Sequence, residues 1–179
     1  MAKSSSHTTT VLINRAPVLT LWASVVAERL GYDRDAALTL GKAVAGLNAQ
    51  AKGRRLGIYH PSEKPQKRRE GEEFRVEVLG RPVPAMQTDQ GVRAVVDDKP
   101  ISPTSVESYL RRSFGPELDP ARKAMESLAR SFASDELAAQ AYGLYEQFRP
   151  DIPSGVHGWG AKGQLDLDLI RSLARDQPS

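Results

Sequence analysis

The fold is decided by residues 14–59, NRAPVLTLWASVVAERLGYDRDAALTLGKAVAGLNAQAKGRRLGIY. Pro17 fits the first turn of a helix, where its missing N–H costs nothing, and Asn14 stands where a cap would be. Val18, Leu21, Trp22, Val25, Val26 and Leu30 then recur at offsets of three and four, which predicts one apolar stripe on a first helix. Gly31 is placed to end it in a left-handed conformation. Asp33 is placed to cap a second helix, with Asp35 in its first turn.

The second helix carries Ala36, Leu40, Ala43, Val44, Leu47 and Ala51 on one face. Gly41 and Gly46 lie in its interior, where each costs roughly 1 kcal/mol against alanine. Close approach of another backbone would offset that cost and make this helix central. Trp22, on the apolar stripe, reads as a core anchor. The helix ends in Lys52, Arg54 and Arg55, which complement the negative end of its dipole and also form the densest start of a basic run.

Working outward, residues 61–72 hold two prolines and no large apolar side chain, so a basic mobile loop is expected there. Between Lys52 and Arg69 stand seven basic residues against the single acid Glu63, while the whole chain carries only +3. Charge concentrated in this way focuses a field on a polyanion. Upstream, Met1 to Thr10 is rich in Ser and Thr and reads as a disordered tail; it lacks the apolar core of a secretory signal.

Downstream the period changes. Phe74, Val76 and Val78 alternate with Arg75 and Glu77, a strand pattern; a turn at Gly80-Arg81-Pro82 follows. Val83 to Met86 suggests a short edge strand because prolines interrupt it. A turn at Asp89-Gln90-Gly91 leads to a strand over Val92–Val96. Thr104 and Glu107 have capping-box spacing for a third helix that stops at Gly115. Asp119-Pro120 and Ser134 read as starts of two more, and a last helix is expected to use Leu165, Leu169, Ile170 and Leu173. Tyr142 and Tyr145 read as core-edge residues.

The expected class is α+β, predominantly helical: about six helices, with a two- or three-stranded antiparallel meander between the second and third. Five segments make up one domain: tail 1–10, helical hairpin 11–60, basic loop 61–72, meander 73–101 and helical part 102–176. The 179 residues suffice for a core without disulfides or metal. The chain has no cysteine, which excludes thiol catalysis, disulfides and cysteine metal sites and suits a cytoplasmic location. No apolar run approaches the roughly twenty residues of a membrane span.

His7, His60 and His157 are far apart, without metal-ligand spacing, and Asp166 and Asp168 read as the outer face of the last helix. No Gly-x-Ser-x-Gly elbow occurs, and nothing demands a cofactor or an enzyme. A helix-turn-helix over Leu128–Phe148 is rejected, because Asp135 and Glu136 would face phosphates. The leading expectation is a non-enzymatic nucleic-acid-binding protein. Its phosphate contacts are Lys52, Arg54, Arg55, Lys64, Lys67, Arg68 and Arg69, with Arg111 and Arg112 as lesser candidates. Two alternatives stand beside it. One is a homodimeric or hetero-oligomeric interaction module that packs the Ala- and Gly-lined second helix on a twin. The other is a small-ligand or anion site on the Gly-rich loop 155–163, at His157, Gly158, Trp159, Gly160 and Lys162.

Overall fold

The computed structural model describes residues 10–55, 73–96, 99–150 and 162–174, with 48–55 and 73 described as backbone only. Residues 1–9 of the expected tail and the expected basic loop 61–72 lie outside the described residues.

The first helix, α1 (Arg15–Arg29), is buried from Pro17 through Ala27, around its whole circumference. The single apolar stripe expected for it is therefore an underestimate. Small residues on its remaining face, Thr20, Ala23, Ser24 and Ala27, are buried as well. Thr20 tolerates burial because its hydroxyl donates to the Ala16 carbonyl at 2.9 Å. Asn14 occupies the N-cap position, but its side chain makes no capping bond. At the other end Gly31 has φ +116°, the Tyr32 N–H donates to Ala27 O and the Gly31 N–H to Glu28 O. That is a Schellman closure, as the glycine implied.

The second helix, α2 (Arg34–Arg55), lies across α1. A Cβ built on Gly41 would lie 2.4 Å from Thr20 O and 2.9 Å from Ser24 N, so the two backbones touch at this glycine. Gly46 is different: a Cβ there would meet nothing within 4 Å. The close approach expected of both glycines belongs to Gly41 alone.

Four strands follow in the order of the chain, β2 (Glu73–Val78), β3 (Arg81–Thr88), β4 (Gly91–Val96) and β5 (Lys99–Pro100), paired antiparallel throughout. The meander thus exceeds the two or three strands expected, because the two-residue β5 is too short to show an alternating pattern. The β2–β3 loop is Leu79–Gly80, with φ of +52° and +75°, the signs of a type I′ turn. The turn thus sits one residue earlier than expected. β3 is also an interior strand, not an edge, and its prolines are compatible with that. Counting from the closing pair Val78–Arg81, Pro82 and Pro84 fall at positions whose nitrogens point away from β2. On that other side β4 pairs only from Ala85 onward. No ladder bond is lost.

Val76, Val78, Val83, Ala85 and Ala94 turn inward onto the helices. At β4 the Ala94 N–H donates to Thr39 Oγ1 of α2 at 2.9 Å, while its carbonyl accepts from Ile101 N at 2.8 Å. Thr39 thereby stands in for a neighbouring strand.

A second sheet was not expected. β1 (Thr10–Ile13) pairs antiparallel with β6 (Gly163–Asp166), tying the two ends of the described chain together and burying Val11, Ile13 and Leu165. Thr10, assigned to the tail, begins β1, and Leu165, assigned to the last helix, lies in β6. That helix, α6 (Leu167–Ser172), starts where Asp166 Oδ1 accepts from Asp168 N at 2.9 Å and Leu169 N at 3.3 Å. Asp166 is a cap, not part of the helix's outer face.

The remaining helices are α3 (Pro103–Phe114), α4 (Leu118–Arg130) and α5 (Ser134–Phe148). Among the described residues there are five helices of twelve residues or more and the six-residue α6. α3 is capped by Ser102, whose Oγ accepts from Ser105 N, with Pro103 at the first helical position. The expected Thr104–Glu107 box does not form, because Glu107 turns to arginines instead. Likewise Asp119 makes no capping bond on α4, and α5 is preceded by Ala133, whose N–H donates to Glu136 Oε1. Gly115 does end α3, at φ +60°. Both sheets and all six helices contribute to one buried apolar cluster. Trp22 is wholly buried in it, donating from Nε1 to Ala141 O at 2.9 Å and meeting Phe148 edge-on at 5.3 Å.

Candidate nucleic-acid interface

The site begins with a change of surroundings along α2. From Ala36 to Ala45 every residue except the half-buried Lys42 is buried, against α1, α3 and the sheet. Gly46 is exposed and Leu47 half-buried, and the helix backbone continues to Arg55. At 1.5 Å per residue, Lys52, Arg54 and Arg55 lie roughly 10–15 Å further along the axis than Ala45. A helix C-terminus carries partial negative charge from its free carbonyls, so cations are favoured there.

Lys42 sets its ammonium 4.6 Å from the centre of the Tyr109 ring, joining α2 to α3. Burial raises the Tyr109 hydroxyl above its ordinary pKa. Further along α3, Arg111 and Arg112 are both exposed but not equivalent. Arg111 Nη2 is 3.1 Å from Glu107 Oε2, and Glu107 Oε1 accepts from the buried Arg122 Nη2 at 3.0 Å. Glu107 therefore compensates two arginines and ties α3 to α4. Arg112 has no ion pair among the described residues and is the freer cation. Lys64, Lys67, Arg68 and Arg69 lie outside the described residues.

The interaction-module reading fares differently. It needs the Ala- and Gly-lined face of α2 free, and Ala36, Ala37, Gly41, Ala43, Val44 and Ala45 are all buried within the chain. Of the expected ligand loop, His157, Gly158, Trp159 and Gly160 lie outside the described residues, and Lys162 is exposed. The loop leads into strand β6, not a helix, and the first amides of α6 are already taken by Asp166.

Two features had no sequence signal. An open cleft of about 220 Å³ lies between α1 and α4, lined by Val25, Glu28, Arg29, Glu126, Ala129 and Arg130. Its charges balance, and Arg29 is anchored by donating to Phe132 O at 2.8 Å. The other is Arg93, 6 % exposed, which donates to Val92 O at 2.8 Å and stands 3.8 Å from Asp35. Residues that only tertiary packing brings together leave no periodic trace.

Tyr142 is half-buried at the core edge, as expected, whereas Tyr145 is buried outright, deeper than the edge position expected of it. Tyr145 packs edge-on against Phe148, and burial pushes its hydroxyl up to about 12 against the opposing pull of Arg149 and Arg15. Among the described residues no group of three His, Asp or Glu side chains converges as a metal site, and no helix is long and apolar enough to cross a membrane. No family model, curated protein or solved structure matches the chain.

Proposed function

We propose that the protein binds nucleic acid without catalysis, through phosphate contacts made by Lys52, Arg54 and Arg55 at the end of α2. The basic run 64–69 and Arg112 extend this surface. The observation that carries the reading is the course of α2, a helix buried in the core from Ala36 to Ala45, exposed at Gly46, whose backbone continues into the cationic sequence Lys52, Arg54 and Arg55. The concentration of positive charge in that window, within a chain of net charge only +3, supports it. A rigid helix presents such charges at lower entropic cost than a loop does. Contacts of this type hold the backbone and not base edges, so little sequence preference is expected.

The test is fluorescence anisotropy with labelled duplex DNA, single-stranded DNA and RNA, titrated from low to physiological salt. Engagement of about five phosphates gives a slope of log affinity on log salt of roughly −4.5 on duplex. The double substitution Arg54→Glu/Arg55→Glu is expected to remove most of the affinity while leaving the circular dichroism spectrum unchanged. Absence of binding at low salt overturns the function; binding that survives the double substitution overturns the site.

A further inference from the structure

The two ends of the four-stranded sheet are finished in opposite ways. At one end β5 is only two residues long, Lys99 and Pro100, and Thr39 bonds the adjoining stretch of β4. Short length, lysine, proline and a covering element are the devices that keep a sheet edge from pairing. The other end is β2, six residues in unbroken register with β3, without proline or bulge. Among the described residues nothing pairs with its outer edge.

The side chains on that strand are arranged for a particular neighbour. The turn-closing pair Val78–Arg81 fixes which backbone groups point outward: the N–H and C=O of Glu73, Arg75 and Glu77. An antiparallel strand added to this edge must place outward-pointing residues opposite one another. For a second copy of β2, four central registers satisfy that condition. Centring on Phe74 sets Glu73 opposite Arg75 twice but overlaps only residues 73–75, leaving Val76 and Val78 without a partner across the edge. Centring on Arg75 sets Arg75 against Arg75 and Glu73 against Glu77. Centring on Glu77 sets Glu77 against itself. Centring on Val76 sets Arg75 of each copy opposite Glu77 of the other, twice, and Phe74 opposite Val78.

Opposite charges directly across a pair stabilise it and like charges oppose it. Arg75 and Glu77 are exposed and form no ion pair among the described residues, so both are available. Phe74, 40 % exposed at the end of the inward-facing row, gains an apolar neighbour in the same register.

We propose that two copies of this chain join along β2, antiparallel about a twofold axis through Val76, to make one continuous eight-stranded sheet. The dimer is isologous, with the same strand offered by each partner. Arg75 and Glu77 are not among the residues proposed to contact phosphate, and the proposal stands or falls independently of nucleic-acid binding.

Sedimentation equilibrium of the full chain, from about 1 µM to about 500 µM, covers the range in which a small interface of micromolar affinity fills. The mass is expected to rise from 19.6 kDa toward twice that value. Arg75→Glu alone, or Glu77→Arg alone, sets like charges opposite one another twice and is expected to hold the protein monomeric. The combined swap Arg75→Glu/Glu77→Arg restores the complementarity and the dimer. Hydrogen exchange supplies a second readout without substitution: the Arg75 and Glu77 amides slow as concentration rises. A monomer across the whole range overturns the proposal. So does a dimer indifferent to the single swaps, or amides already protected in the monomer, which would mean that the edge is covered from within the chain.

Discussion

The two halves of α2 have similar amounts of alanine and glycine, yet Gly41 in the first and Gly46 at the start of the second have opposite surroundings. Between Ala36 and Ala45 the small side chains let α1, α3 and the sheet close on the helix, and at Gly41 the approach reaches the Thr20 carbonyl. Gly46 serves no such contact: it is exposed with open space around it. Composition alone therefore says nothing about whether a small-residue helix face is an interface. The surroundings of each residue decide it. In α2 they assign residues 36–45 to holding the fold, while Gly46 has left the packed region.

The same substitution at the two glycines is the sharpest way to break this contrast. Gly41→Ala forces a methyl group into backbone that cannot rotate away, and destabilisation of about 2–3 kcal/mol is expected, typical of overpacking. The measurement is a fall in the denaturation midpoint at unchanged slope. A change as mild as that at an exposed site would mean that α1 and α2 are not in backbone contact.

Thr39→Val keeps the shape of the side chain and removes the oxygen that accepts from Ala94 N. An unsatisfied buried amide costs about 1–2 kcal/mol, so a loss of that size is expected, with faster hydrogen exchange at Ala94. No loss would show that the sheet does not depend on α2 for its edge.

Gly46→Ala should act in the other direction, stabilising by about 0.5–1 kcal/mol through helix propensity alone. Destabilisation there would show that the second half is packed after all. Smallest in stability is Arg54→Glu/Arg55→Glu, expected within about 0.5 kcal/mol per site, the usual effect of a surface substitution. Its effect belongs to binding. A large loss of stability with no loss of binding would reverse the roles assigned to the two halves.

The expectations that held rest on chemistry within a few residues. Gly31 ends α1 because a left-handed residue satisfies the last carbonyls, and glycine adopts that conformation without penalty. Gly115 closes α3 at positive φ. Trp22 lies in the core because its neighbours at helical spacing are apolar. The caps were less legible. Thr104 and Glu107 had the spacing of a capping box, but Ser102 caps α3 and Glu107 packs onto Arg111 and Arg122. The prolines of β3 misled because their cost depends on which neighbour their nitrogens face, a matter of register and not of local sequence.

Of the candidate site, the basic residues and their helix were visible directly, since charge and periodicity are both local. The unequal standing of Arg111 and Arg112 was not, because it depends on where Glu107 lies.

Taken alone, the amino-acid order determined the helical hairpin, the meander that follows it, the core position of Trp22 and the clustering of positive charge. Each follows from side-chain spacing or from the conformational limits of glycine and proline. Tertiary structure alone decided the β1–β6 pairing, the burial of α1 on all sides, the interior place of β3 and the different surroundings of Gly41 and Gly46. These depend on which distant residues become neighbours. Two four-residue strands some 150 residues apart have too few alternating positions to signal a sheet until the rest of the fold brings them together.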